Sequence, residues 1–63
     1  MNLRCRFEHD EQSYVVMASD VHQLCDKLAE LKVTPGKWVS VYEVGSTSPI
    51  AKAHTSGMGW VET

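Results

Sequence analysis

Hydrophobic residues between Ser19 and Val33 recur with the period of an amphipathic helix. The apolar stripe begins at Val21 and continues through Leu24, Cys25, Leu28 and Leu31. Residues at these spacings fall on one side of a helix with about 3.6 residues per turn, and polar residues fill the other side. Such a stripe covers a core but is too narrow for a helix that spans a membrane. We therefore predict one surface helix around which the other elements are arranged.

Both ends of this helix carry boundary signals. Either Ser19 or Asp20 can cap the helix, and if Asp20 is the N-cap, Gln23 follows it at the spacing of a capping box. Pro35 cannot continue a helix and restricts the preceding residue to extended geometry. We therefore expect the helix to end before Pro35, where Gly36 permits the chain to reverse.

Four other segments have patterns typical of β-strands, because apolar residues alternate with polar ones or β-formers are concentrated there. The second segment is apolar on both faces, so its orientation is undetermined. Residues 56–63 are expected to form either a flexible tail or a short fifth edge strand, since their Trp-Val pair is costly to leave in water. The predicted strands, separated by turns at His9–Ser13 and Gly45–Pro49, are Met1–Glu8, Tyr14–Ala18, Trp38–Val44 and Ile50–Thr55.

The element order β-β-α-β-β predicts a two-layer α+β fold, with residues 1–63 as a single domain and the helix on one face of a four-stranded, mainly antiparallel sheet. A helix of this length returns the chain to the edge that it left, so the third strand runs antiparallel to the first. Pairing of these two strands gives the order 2-1-3-4, which we predict. Pairing of the third strand with the second would instead introduce one parallel pair.

Strand periodicity assigns alternate side chains to opposite faces of this sheet. The side chains expected to meet the helix stripe are Leu3, Cys5, Phe7, Val39, Val41, Ala51 and Ala53. Those expected on the opposite face are Arg4, Arg6, Trp38, Tyr42, Ile50, Lys52 and His54. No predicted element covers this second face, apart from the segment around Trp60. An uncovered face with large aromatic side chains is typical of a binding surface.

Charge and composition narrow the classes of function. The chain of 63 residues has a net charge of -2 and a pI near 5.8, so it lacks the basic surplus of a dedicated duplex-DNA binder. No apolar run has the length of a membrane span, and no signal-peptide pattern is visible. We therefore expect a cytoplasmic protein with reduced thiols and no membrane association.

Arginines beside aromatic rings on one face of a sheet can have any of three roles. They can stack on the rings and only stabilise the sheet, they can hold phosphates while the rings stack on single-stranded bases, or they can dock another protein. We predict a non-enzymatic interaction or regulatory module that binds a protein partner or its own copy. The alternative is a platform for single-stranded RNA or DNA. The predicted binding residues are Arg4, Arg6, Trp38, Tyr42, Lys52 and His54.

Neither a cofactor nor a metal site is predicted from the residue patterns. Cys5 and Cys25 fall on inward faces and are expected to be free, buried thiols, although a disulfide between them would close a loop of about twenty residues. Close ligand pairs of the kind that structural zinc prefers are missing from the sequence. No nucleophile elbow, phosphate loop or His-Glu-x-x-His motif occurs, so we predict no catalytic residues.

Overall fold

The computed structural model describes residues 2–63, and Met1, where the first strand is predicted to begin, lies outside this range. The described residues form five strands and one helix. Their bounds are β1 Leu3–His9, β2 Gln12–Ala18, α1 Val21–Leu31, β3 Trp38–Glu43, β4 Pro49–His54 and β5 Trp60–Glu62.

The strands form one sheet in the order β2-β1-β3-β4-β5, and every neighbouring pair is antiparallel. The predicted α+β class and the order 2-1-3-4 are therefore confirmed. The predicted four-stranded sheet is one strand short, because the C-terminal segment adds β5 to the edge at β4. Of the two alternatives for residues 56–63, the short edge strand is confirmed. Trp60 pairs with Ala53 and Val61 pairs with Lys52.

The turn between β1 and β2 is shorter than the predicted turn His9–Ser13. His9 pairs directly with Gln12, so only Asp10 and Glu11 connect the strands. Both of these residues have positive φ angles, 50° and 65°. Two left-handed residues give a turn whose twist matches that of the flanking strands, which lets the strands extend up to it.

Helix α1 begins at an N-cap built by three residues. The carboxylate of Asp20 accepts a hydrogen bond of 2.8 Å from the backbone N–H of Gln23. In return, the side-chain oxygen of Gln23 accepts hydrogen bonds from the backbone N–H of Ser19 at 2.8 Å and from the Ser19 hydroxyl at 2.9 Å. Of the two predicted candidates, Asp20 is therefore the N-cap. At the other end, Lys32 adopts a left-handed conformation with φ 53°, so the helix ends three residues before Pro35.

The core lies between α1 and the inward face of the sheet. Leu24 and Leu28 of the helix are fully buried, and each such burial stabilises the fold by about 1.5–3 kcal/mol. The prediction that Leu31 packs on the core is wrong, because its side chain is 40% exposed while Val33 is buried. The chain leaves helical geometry at Lys32, and this change of direction turns Val33 inward. The remaining buried apolar residues are Leu3, Cys5, Phe7, Val16, Ala18, Cys25, Val39, Val41, Ala51 and Ala53.

The turn between β4 and β5 lies directly against α1. Gly57 has φ 81°, and a Cβ atom added to it would lie 2.5 Å from the Cβ of Ala29 and 2.7 Å from the carbonyl oxygen of Cys25. Trp60 follows this turn, packs against the core and contacts His22 of the helix edge-to-face, with ring centroids 6.1 Å apart. These contacts fix β5 in place against the helix layer.

Candidate functional site: an open face of the sheet

Helix α1 covers one face of the sheet, and the strand registers define which side chains lie on the other. Arg4 lies opposite Tyr42 on β3 and opposite Met17 on β2, while Trp38 lies opposite His54 on β4. All six predicted binding residues therefore share one face. We call this face the open face, and its residues are Arg4, Arg6, Glu8, Ser13, Val15, Met17, Trp38, Ser40, Tyr42, Ile50, Lys52, His54 and Val61.

Several large apolar side chains of the open face remain in contact with solvent. The exposed fraction is 49% for Trp38, 58% for Val15, 47% for Met17 and 53% for Val61. Val15 and Met17 belong to β2, Trp38 belongs to β3 and Val61 belongs to β5. Exposed apolar side chains therefore occur at both edges and in the middle of the face, with charged side chains of β1 and β4 between them. Apolar surface spread in this way, with charged groups around it, is the kind that marks interaction sites.

The charges of the chain are unevenly divided between its two sides. Arg4, Arg6 and Lys52 lie on the open face, where Glu8 is the only carboxylate. The other acidic residues lie in the first turn, in and before the helix, or on the inward side of β3 and β5. Although the net charge of the chain is -2, its open face is therefore cationic.

Trp38 is supported by a small polar cluster at the end of β4. Its indole contacts the His54 ring edge-to-face, with centroids 5.2 Å apart. The backbone N–H of Ser56 donates to Nδ1 of His54 at 3.3 Å, and the Ser56 hydroxyl lies 2.6 Å from the same nitrogen. The Ser56 oxygen also accepts a hydrogen bond of 3.3 Å from the N–H of Met58. The histidine thereby orients the indole, while the serine is held within the turn.

Three apolar positions of the open face are not assigned by the sequence pattern, and the structure supplies them. Val15 and Met17 lie on it because the pairing of His9 with Gln12 sets the register of β2. Val61 lies on it because it pairs with Lys52. The alternative that the segment around Trp60 covers the open face is wrong, since Trp60 pairs with inward-facing Ala53. A two-residue turn with positive φ angles would have fixed the β2 register, but its Asp-Glu sequence does not signal one.

The two cysteines lie on the opposite side, within the core. Cys5 and Cys25 are both free and buried, so the expectation of free thiols is confirmed and the alternative of a disulfide is not. Burial raises the pKa of the Cys5 thiol from 9.0 to about 11, and the neighbouring Cys25 adds to the rise, while a backbone hydrogen bond involving Val16 opposes it. Burial also raises the pKa of Cys25, and nearby Asp26 acts in the same direction. Neither thiol is poised as a nucleophile at neutral pH.

Among residues 2–63, no group of three His, Cys, Asp or Glu side chains is arranged to hold a metal ion, and no pocket is found. The one helix in this range is too short and too polar to cross a membrane. Comparisons of the chain with protein-family models, with curated proteins and with solved structures gave no match.

Proposed function

We propose that this chain is a small binding module without catalytic activity, and that its open face binds a protein surface rich in both carboxylates and apolar side chains. The observation that carries the proposal is the composition of that face. Three cations and one carboxylate stand among exposed apolar side chains, including the half-exposed indole of Trp38. Tryptophan, tyrosine and arginine are the residues that most often supply binding energy at protein interfaces.

The open face of a second copy is a less favourable binding partner for this face than an acidic protein surface is. Two such faces brought together would place like charges near one another as water is excluded, and each like-charge contact opposes association. Carboxylates would instead pair with Arg4, Arg6 and Lys52. The apolar side chains of the partner would cover Trp38 and Tyr42.

Single-stranded nucleic acid is the second candidate, because Arg4 lies directly opposite Tyr42 and could hold a phosphate beside a stacked base. The apolar surface weighs against it. Val15, Met17 and Val61 are each about half exposed. A phosphate backbone provides no apolar surface against which these side chains could be buried. We therefore favour the acidic protein surface.

Isothermal titration with two synthetic peptides tests this choice. In the first peptide Glu and Leu residues are interspersed, and in the control peptide Gln replaces every Glu. We expect the acidic peptide to bind at least about tenfold more tightly at low salt, because charge-assisted hydrogen bonds form only with carboxylates. Its affinity should fall as salt is added.

Two substitutions locate the binding surface. Arg4→Gln should weaken binding of the acidic peptide, whereas Lys32→Gln, which removes a charge at the end of the helix, should leave it unchanged. Equal binding of both peptides, or equal effects of both substitutions, would contradict the proposal. Tighter binding of oligothymidylate than of the acidic peptide would favour the nucleic-acid candidate.

We also propose that the protein acts in the cytoplasm. The support is chemical: two buried thiols, both free, suit a reducing compartment. The proposal predicts that cysteine-specific alkylation of the unfolded chain, taken directly from cells, adds a label to both Cys5 and Cys25. Recovery of the two residues as a disulfide would contradict it.

A further inference from the structure

Within residues 2–63, no strand pairs with the outer side of the edge strand β2, so some of its backbone groups lack a partner strand. The N–H of Val44 donates to the carbonyl of Asn2 at 2.9 Å, so the backbone of Asn2 faces β3. Because hydrogen-bonded and non-hydrogen-bonded positions alternate in an antiparallel sheet, the odd-numbered residues of β1 face β2. The register then leaves Ser13, Val15 and Met17 with N–H and carbonyl groups that point out from the free edge.

Strand β2 itself lacks the features that keep most edge strands from pairing. Strand β2 is seven residues long and contains no charged residue and no proline, and its register with β1 has no shift. Charges, prolines, bulges and short length are the usual means of protecting an edge. The opposite edge strand, β5, is three residues long and carries Glu62. The free edge of β2 is therefore the more exposed pairing site of the two.

One side chain from the helix binds to this edge of β2. The ammonium group of Lys27 reaches from the helix and donates a hydrogen bond of 2.6 Å to the carbonyl of Met17. That carbonyl is one of the outward-pointing groups. A neighbouring strand that pairs with β2 would have to displace Lys27 from it.

We propose that two copies of this chain associate through the free edges of their β2 strands, in an antiparallel pair centred on Val15. In this arrangement Val15 lies opposite Val15 of the second copy, and Ser13 lies opposite Met17. All of these residues point their backbone groups outward, so each pair exchanges two hydrogen bonds. The result is one continuous sheet with both open faces on the same side.

A second copy suits this edge better than an unrelated extended chain, because the strand complements itself. The exposed side chains of Val15 and Met17 are brought into contact across the two-fold axis, which removes apolar surface from water. Among the cations of the open face, Arg6 lies nearest to the two-fold axis, opposite Val15 one strand further in. In the dimer, three strand spacings of about 4.8 Å would separate the two Arg6 residues, which places them about 14 Å apart. This distance exceeds the screening length of about 8 Å at physiological salt.

Sedimentation equilibrium of the wild-type protein and two variants tests the proposal. We expect the mass to rise with concentration from 7.1 kDa towards twice that value, and not beyond. Val15→Pro should weaken the dimer at least about tenfold, since it removes an outward-pointing N–H and two intermolecular hydrogen bonds. The β1–β2 hydrogen bonds do not use this N–H, and amide exchange of β1 checks that they persist.

A second substitution should strengthen the dimer instead of weakening it, and it should not destabilise the monomer. Lys27→Met should tighten the dimer, because the carbonyl of Met17 no longer has a competing donor, whereas Lys32→Met should not change it. A wild-type chain that stays monomeric up to about 1 mM would overturn the proposal. So would association that continues past the dimer, or a dimer that Lys27→Met weakens or leaves unchanged. The outcome is independent of peptide binding to the open face, which is measured with Arg4→Gln.

Discussion

Replacement of Gly57 by alanine should destabilise the protein more than replacement of Gly45 or Gly59 by alanine. Two costs coincide at this position. The φ angle of 81° is one that an L-residue adopts at a cost of about 1–2 kcal/mol. The added Cβ would also lie 2.5 Å from the Cβ and 2.9 Å from the Cα of Ala29, which belong to the helix and cannot simply rotate away. Overpacking of this kind costs about 1–3 kcal/mol.

Two other glycines separate these costs. Gly45 has φ 90° but nothing within 4 Å of an added Cβ, so Gly45→Ala should show the conformational cost alone. Gly59 has neither a positive φ nor a neighbour within 4 Å, so Gly59→Ala should be within about 1 kcal/mol of wild type. The difference between Gly57→Ala and Gly45→Ala measures the close approach of the β4–β5 turn to the helix.

Urea denaturation followed by circular dichroism gives the free energies of unfolding. In a Trp38→Phe background, the fluorescence of the remaining Trp60 reports on β5. We expect Gly57→Ala to lose about 2–5 kcal/mol in total, which is a large part of the stability of a chain of this length. Early loss of the Trp60 signal would show that β5 detaches first. A Gly57→Ala variant as stable as Gly59→Ala would refute the packing of this turn on α1.

Three further perturbations test individual features. Asp20→Ala should lower the free energy of unfolding by about 1 kcal/mol, because the Gln23 N–H loses its acceptor, while Asp20→Asn should retain most of it; equal losses in chemical denaturation would contradict the cap. Glu11→Gly should raise the melting temperature by relieving a residue at φ 65°, whereas Ser13→Gly should lower it. The raised pKa of Cys5 means that the folded state keeps this proton while the unfolded state loses it. Its contribution to stability is therefore complete below pH 9 and declines as the pH approaches about 11. Cys5→Ala should flatten this alkaline decline in denaturation curves measured between these pH values.

The sequence predicted the architecture where its periodic patterns were strong. The alternation around Cys5 and the stripe through Leu24 and Leu28 each assigned side chains to the correct face, because one face of each element must be buried. The β2 strand had apolar residues on both faces, so its pattern carried no information about facing. Its register depends on the turn at Asp10 and Glu11, which lacks the glycine that usually signals such geometry.

The C-terminal part was less predictable for a related reason. Strand β5 is three residues long, too short for alternation to distinguish a strand from a tail. Its position depends on the contact of Gly57 with the helix, which is a tertiary feature. Leu31 was assigned to the core by periodicity, but the helix ends there and Val33 takes its place. The open face was predictable from the strands with clear alternation, while its continuation onto β2 and β5 was not.

The most direct test of the proposed role of the open face is a titration of isotope-labelled protein with the Glu-Leu peptide, followed by amide and indole chemical shifts. If the open face binds the peptide, the shifts should concentrate on β1, β3 and β4 around Arg4, Tyr42 and the Trp38 indole, and the indole of Trp60 should be unaffected. Shifts centred on α1, or a Trp60 response as large as that of Trp38, would contradict the proposed role.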